Sequence, residues 1–232
     1  MPKLLLAVAA CALALLTTVA QAEQRLSKSD GVQDPPRLIL QITVDQLRGD
    51  LPGRYLKNMG EGGFRYLMSH GIWYADARHA HANTETIVGH TTLATGADPA
   101  AHGMVANVWL DRQANELTYN IEDSRYRLLT PGAEVNKATE IDPTQKLASA
   151  DGRSPAAILV STFGDELASY TAGRARIFGV SVKDRGAVSM AGHAGKAFWF
   201  SKSAGGFVTS TYYYDRYPAW VDAWNQRKLV NG

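Results

Sequence analysis

Asp45, Thr86, Asn107 and the tripeptide Lys183-Asp184-Arg185 are the residues whose types and order could do chemistry together. A threonine hydroxyl is a poor nucleophile at neutral pH. It needs a cation to stabilise its alkoxide, and a nearby carboxylate such as Asp45 can hold that cation. Lys183 and Arg185 stand two apart, so on an extended backbone both point to one side, a point charge beside a planar fork for phosphate oxygens. Asn107 can donate a neutral hydrogen bond to a third oxygen. Taken together, the set suits phosphoryl transfer with Thr86 as nucleophile. Taken singly, each residue has a plainer reading: Asp45 as a strand-end cap, Thr86 as a helix cap, Asn107 as a turn, Lys183 and Arg185 as a solvated strand end. Other familiar motifs fail. Gly192-His193-Ala194-Gly195-Lys196 lacks the first glycine and the final Ser/Thr of a P-loop, and neither H-E-x-x-H nor G-x-S-x-G occurs.

The elements that would position these residues are those of an α/β protein. Arg37–Val44 is an apolar, β-rich run that reads as a strand buried on both faces of a parallel sheet, with Asp45 at its carboxyl end, where open α/β sheets bind ligands. A short helix is expected over Gly62–His70, ended by Gly71. The segment from Asn83 to Gly96 reads as a loop entering a helix, with Thr86 near its cap and free N–H groups aimed outward for a phosphoryl group. Ser154-Pro155 predicts another helix start, followed by Ala156, Leu159, Val160, Phe163, Leu167 and Tyr170 at helical spacing. Ile177–Val182 is a second buried-strand candidate, ending at Lys183. The stretch 107–153 shows no periodicity and reads as an irregular rim or insertion.

Composition narrows the class. The 232 residues carry 24 Lys+Arg against 22 Asp+Glu, a formal charge of +2, which excludes nucleic-acid binding by bulk charge and places any anion recognition on local residues. Residues 1–22 combine Lys3, an apolar run from Leu4 to Val19 and Ala20-Gln21-Ala22, the pattern of a cleaved secretory signal. The run is shorter than the ~20 residues a membrane span requires, so no stable membrane anchor is expected. Lipoprotein processing at Cys11 would waste the apolar residues behind it. Cys11 is the single cysteine, so the processed chain would hold none. A periplasmic or secreted protein is expected, with residues 23–36 as a polar tether.

Several segments, in order, resemble one family: Ile42-Thr-Val-Asp45-Gln-Leu-Arg-Gly-Asp50, Thr84-Glu-Thr86-Ile-Val-Gly-His90, Gly103-Met-Val-Ala-Asn107, Ser154-Pro155 with Gly164-Asp165-Glu166-Leu167, and Ser181-Val-Lys183-Asp-Arg185-Gly. Together they resemble the alkaline phosphatase superfamily, in its secreted threonine-nucleophile branch related to type I phosphodiesterases and nucleotide pyrophosphatases. The resemblance implies a mostly parallel sheet flanked by helices and a site normally holding two zinc ions, with Asp45 as a metal ligand. Thr86 would attack phosphorus, contact the metal and form a phosphothreonine, while Asn107, Lys183 and Arg185 would contact phosphate. The K-x-R pair resembles members that prefer phosphate monoesters, and a phosphodiesterase is the alternative. Members are more than twice as long, and their remaining Asp and His ligands lie in the second half. None of His70, His79, His81, His90, His102 and His193 matches a ligand motif. Residues 37–232 therefore read as the N-terminal part of such a domain, expected to be inactive alone toward small phosphate esters. A non-catalytic exported phosphate-binding fragment is the rival from another class.

Overall fold

Two units divide the chain, Met1–Thr43 and Val44–Gly232. The computed structural model describes residues 36–228, so the expected signal at 1–22 and all but the last residue of the tether lie outside the described residues. In the first unit the described residues, 36–43, form neither helix nor strand. The strand expected over Arg37–Val44 is thus absent, and Leu38, Leu40 and Ile42 are 78%, 72% and 69% exposed. A run that is apolar on both faces is buried only between two neighbouring strands and two covering layers. The described strands pair among themselves instead.

In the second unit two short helices come first, α1 (Leu51–Tyr55) and α2 (Phe64–His70). Helix α3 (Thr86–Thr95) follows as expected, burying Ile87, Val88 and Ala94. It stops at Gly96, whose φ of 68° lets its N–H return to the carbonyl of Thr92. After α4 (Pro99–His102), strands β1 (Val108–Asp111) and β2 (Glu116–Tyr119) form an antiparallel hairpin in which Val108 faces Tyr119. Asp111 closes its turn by accepting from the N–H groups of Gln113 and Ala114. Residues 120–162 are mostly turns, with one short 3-10 helix at Gln145–Leu147.

The helix expected from Ser154 begins later, as α5 (Phe163–Tyr170). The hydroxyl of Ser154 donates to Asp123 at 2.5 Å and accepts from the N–H of Ala156 at 3.2 Å, but the chain makes only a turn there, closed by the N–H of Ile158 on the carbonyl of Pro155. Thr162 and Asp165 make the cap instead, each side chain bonded to the other's backbone N–H.

Strand β3 (Phe178–Ser181), helix α6 (Asp184–Ala191) and strand β4 (Lys196–Ser201) form a βαβ unit. β3 and β4 run parallel with Phe178 opposite Lys196. β5 (Gly206–Val208) adds antiparallel to β4, so the three-stranded sheet is mixed, and α7 (Ala219–Gln226) follows. The α/β arrangement is the expected one. Helix α6 is buried almost from end to end and packs on β3, β4 and α3. Gly179 permits this approach, because a Cβ there would lie 2.3 Å from the carbonyl oxygen of Ala187. The core joins Ile87 and Val88 of α3, Val188 of α6, Trp199 of β4 and Tyr119 of β2. Helices α3 and α6 are thereby fixed to each other, which places Thr86 and Arg185, in their first turns, at one point.

Candidate active site

Thr86 is the first residue of α3, after Glu85 in an extended conformation. Glu85 and Asn107 clasp each other across the helix start. The Glu85 carboxylate accepts from the N–H of Asn107 at 2.6 Å, and Oδ1 of Asn107 accepts from the N–H of Ile87 at 3.2 Å. Because Oδ1 is committed inward, the amide Nδ2 of this buried Asn107 is the group turned the other way.

The Thr86 hydroxyl lies between opposite charges. It donates to Oδ2 of Asp45 at 3.4 Å and accepts from Nη2 of Arg185 at 3.4 Å. Both contacts are at the long limit of hydrogen bonding. Asp45 is exposed, in a turn completed by Gln46 at φ 60°.

Lys183 and Arg185 do converge, though by another route than an extended backbone. Lys183 is extended, with φ −104° and ψ 146°, whereas Arg185 belongs to the first turn of α6. The convergence is made by Asp142, whose Oδ2 accepts from Nζ of Lys183 and from Nη2 of Arg185 at 2.9 Å. Its Oδ1 accepts from Thr144, from the backbone N at 3.0 Å and the hydroxyl at 2.6 Å. The Thr144 hydroxyl in turn accepts from Nη1 of Arg185 at 3.1 Å. Burial alone would raise the Asp142 carboxyl pKa. The bonds from Lys183 and Thr144 and the charge of Arg185 outweigh it and hold the group well below the usual range.

Beneath this cluster lies a second, drier one. Asp184 accepts from Nε of Arg153 at 2.7 Å, the hydroxyl of Tyr119 at 2.8 Å, Nε2 of Gln145 at 2.9 Å and the N–H of Arg185 at 2.8 Å. Burial opposes its ionisation, but Arg153 and the other donors keep its pKa lowered. The two aspartates pin residues 119–153 to the start of α6. Lys183 also lines a cavity of about 300 Å³ walled by Ile141, Trp199 and Lys202, in which Thr86 takes no part.

Glu85, Asp142 and Thr144 were not among the residues singled out from sequence. Asp142-Pro143-Thr144 does carry a turn signal of the aspartate type, but nothing local says that the turn faces residues 183–185.

Metal ligation is incomplete. Asp45 and Thr86 offer two oxygens, and no group of three or more His, Cys, Asp or Glu side chains fit to hold a metal occurs among the described residues. A zinc site normally has three or four protein ligands, so these residues alone do not fit the ion. His90 points its Nδ1 to the carbonyl of Thr86 at 2.8 Å. His81 and His102 share the Thr92 hydroxyl, at 3.0 and 3.1 Å.

A family model described as type I phosphodiesterase / nucleotide pyrophosphatase matches residues 39–229. The chain is 33% identical over 197 residues to alkaline phosphatase PhoV of Synechococcus elongatus, covering 84% of this chain and 33% of that protein. It is 32% identical over 196 residues to alkaline phosphatase PafA of Elizabethkingia meningoseptica, covering 84% and 33%. A crystal structure of a PafA variant superposes with a TM-score of 0.69 at 30% identity, covering 80% of this chain and 34% of that one. In that variant one threonine, one asparagine, one lysine and one arginine are substituted, and the lysine and arginine are separated there as Lys183 and Arg185 are here. The chain spans about a third of the length of the curated relatives it matches.

Proposed function

The chain belongs to the type I phosphodiesterase / nucleotide pyrophosphatase family, in its alkaline phosphatase branch, and from that premise we propose that residues 36–228 carry the nucleophile and anion clamp of a phosphate monoester hydrolase. The observation that carries the reading is the Thr86 hydroxyl, held 3.4 Å from both the Asp45 carboxylate and the Arg185 guanidinium. Thr86 Oγ1 attacks phosphorus in line, an O–P bond forms as its O–H proton is given up, and the bond to the leaving oxygen breaks, that oxygen taking up one proton to depart as the alcohol. Water then hydrolyses the phosphothreonine. Arg185 and Lys183 face the equatorial oxygens, and the Asn107 amide donates to one of them.

Two zinc ions are the expected metals, with Asp45 and Thr86 among their ligands. The further ligands are not among the described residues, so the isolated chain is expected to turn over negligibly. A phosphodiesterase is the second reading, favoured by the description of the matching family model. The paired cations favour the monoester, since a diester has one fewer free oxygen to offer them. A signal-like N-terminus supports export to the periplasm or medium. No helix among the described residues is long and apolar enough to cross a membrane.

Inorganic phosphate titrated into the purified chain and followed by NMR tests the clamp. Resonances of Thr86, Asn107, Lys183 and Arg185 should move, and Arg185→Ala should weaken binding about tenfold. Shifts confined to other surface lysines would refute the assignment. Sustained zinc-dependent hydrolysis of p-nitrophenyl phosphate by the same chain would refute the incomplete metal site.

A further inference from the structure

Nothing in the local backbone brings Lys183 and Arg185 together, because one precedes α6 and the other lies in its first turn. Two like charges at close range repel, and that repulsion grows as water is excluded. The group that joins them is Asp142, 41 residues before Lys183, whose Oδ2 holds both cations. We propose that Asp142 is a positioning residue for this cation pair, and that by fixing the pair it sets the preference for a dianionic phosphate monoester over a monoanionic diester. The inference rests on the reading of Lys183 and Arg185 as the phosphate clamp.

The geometry argues for an anchor rather than a carboxylate that departs when phosphate arrives. Both oxygens are committed, Oδ1 to the backbone N and hydroxyl of Thr144 and Oδ2 to the cations. The side chain is 8% exposed. Thr144 extends the grip by accepting from Nη1 of Arg185, so Asp142 and Thr144 hold both terminal nitrogens of the guanidinium. Nη2 is also the nitrogen directed at the Thr86 hydroxyl, so its placement aligns nucleophile and clamp. Lys183 keeps 42% of its side chain exposed and has further N–H groups for an incoming anion. Two cations with one shared carboxylate leave a net positive charge over two donors. A dianion, with twice the charge and a third free oxygen, gains more from the second cation than a monoanion does.

Methyl phosphate and dimethyl phosphate, titrated into the full chain and read at Thr86, Lys183 and Arg185 by NMR, separate the outcomes. Asp142→Asn should weaken methyl phosphate about tenfold and leave dimethyl phosphate nearly unchanged, collapsing their ratio. Asp142→Glu should recover part of it. Added to Lys183→Ala/Arg185→Ala, Asp142→Asn should do nothing more. Equal loss of both ligands, tighter methyl phosphate binding in Asp142→Asn, or a further loss in the double-alanine background each overturns the proposal. If Asp142→Asn does not fold, Thr144→Val carries the test. It keeps the charge, removes the hydroxyl held by Arg185, and should lower the same ratio about threefold; an unchanged ratio is contrary. Failure of the clamp reading looks different: the wild-type chain would show no methyl phosphate shifts at these residues, and Lys183→Ala/Arg185→Ala would change nothing.

Discussion

Replacing Asp184 with asparagine should be among the most damaging single changes available in this chain. The substitution keeps volume and shape but removes the charge opposite Arg153, and the two side chains are only 3% and 6% exposed. A buried ion pair broken on one side costs about 3–5 kcal/mol, because the remaining charge is desolvated without compensation. Arg153 retains bonds to the carbonyls of Ala150 and Gly152 and lies 5.3 Å over the Tyr119 ring, which argues for the lower half of that range. In a domain of this size a loss of about 3 kcal/mol lowers the melting temperature by about 6–12 °C. Urea unfolding followed through the buried Trp199 gives the free energy directly. A cycle with Arg153→Gln isolates the pair. The double variant should cost at least about 1.5 kcal/mol less than the sum of the singles. An Asp184→Asn protein within about 0.5 kcal/mol of wild type, or strictly additive singles, would refute the account of this pair as a coupled buried contact.

Gly192 has φ 62° and ψ −156°, and a Cβ there would stand 2.1 Å from the Thr162 hydroxyl that caps α5. Gly192→Ala should therefore cost about 2 kcal/mol or more in the same urea assay, and an unchanged midpoint would count against the cap. Acid should act in two stages. His102 is held below its usual 6.5 by burial and by His81, so the unfolded chain binds that proton first and stability declines as pH falls below about 6.5. Asp123, lowered to about 2 chiefly by Arg125, and Asp142, Asp165 and Asp184, lowered in the same direction, give stabilisation that is complete above about pH 4 and lost below it. A urea midpoint that stays level between pH 7 and pH 5 would remove His102 from this account.

The parts legible in the sequence were those fixed by local signals. The polar-to-apolar switch near Thr86 and the closing Gly96 marked the place of α3, and the run ending at Lys183 marked that of β3. Arg37–Val44 shows the limit of that approach. Its composition is that of a buried strand, but a strand exists only with its neighbours, and periodicity carries no information about them. Ser154-Pro155 misled because the local bond it predicts, from the N–H of Ala156 to the Ser154 hydroxyl, forms but holds only a single turn, while the Thr162–Asp165 pair was the stronger cap. Asp142 was illegible because an aspartate-proline turn inside an irregular stretch looks like any other loop. Its partners, Lys183 and Arg185, are distant in sequence and meet it only through the packing of α6.

That placement divides the site between two kinds of scaffold. Thr86 and Arg185 sit in the first turns of packed helices, while Asp142 and Thr144 belong to a stretch of turns held to the start of α6 by buried charge. A stretch with so little regular backbone takes its shape from those contacts, so charge rather than a helix or strand sets where Asp142 and Thr144 stand. Loosening the hold of Asp142 should therefore disturb that wall of the site before it disturbs the helices that carry Thr86 and Arg185.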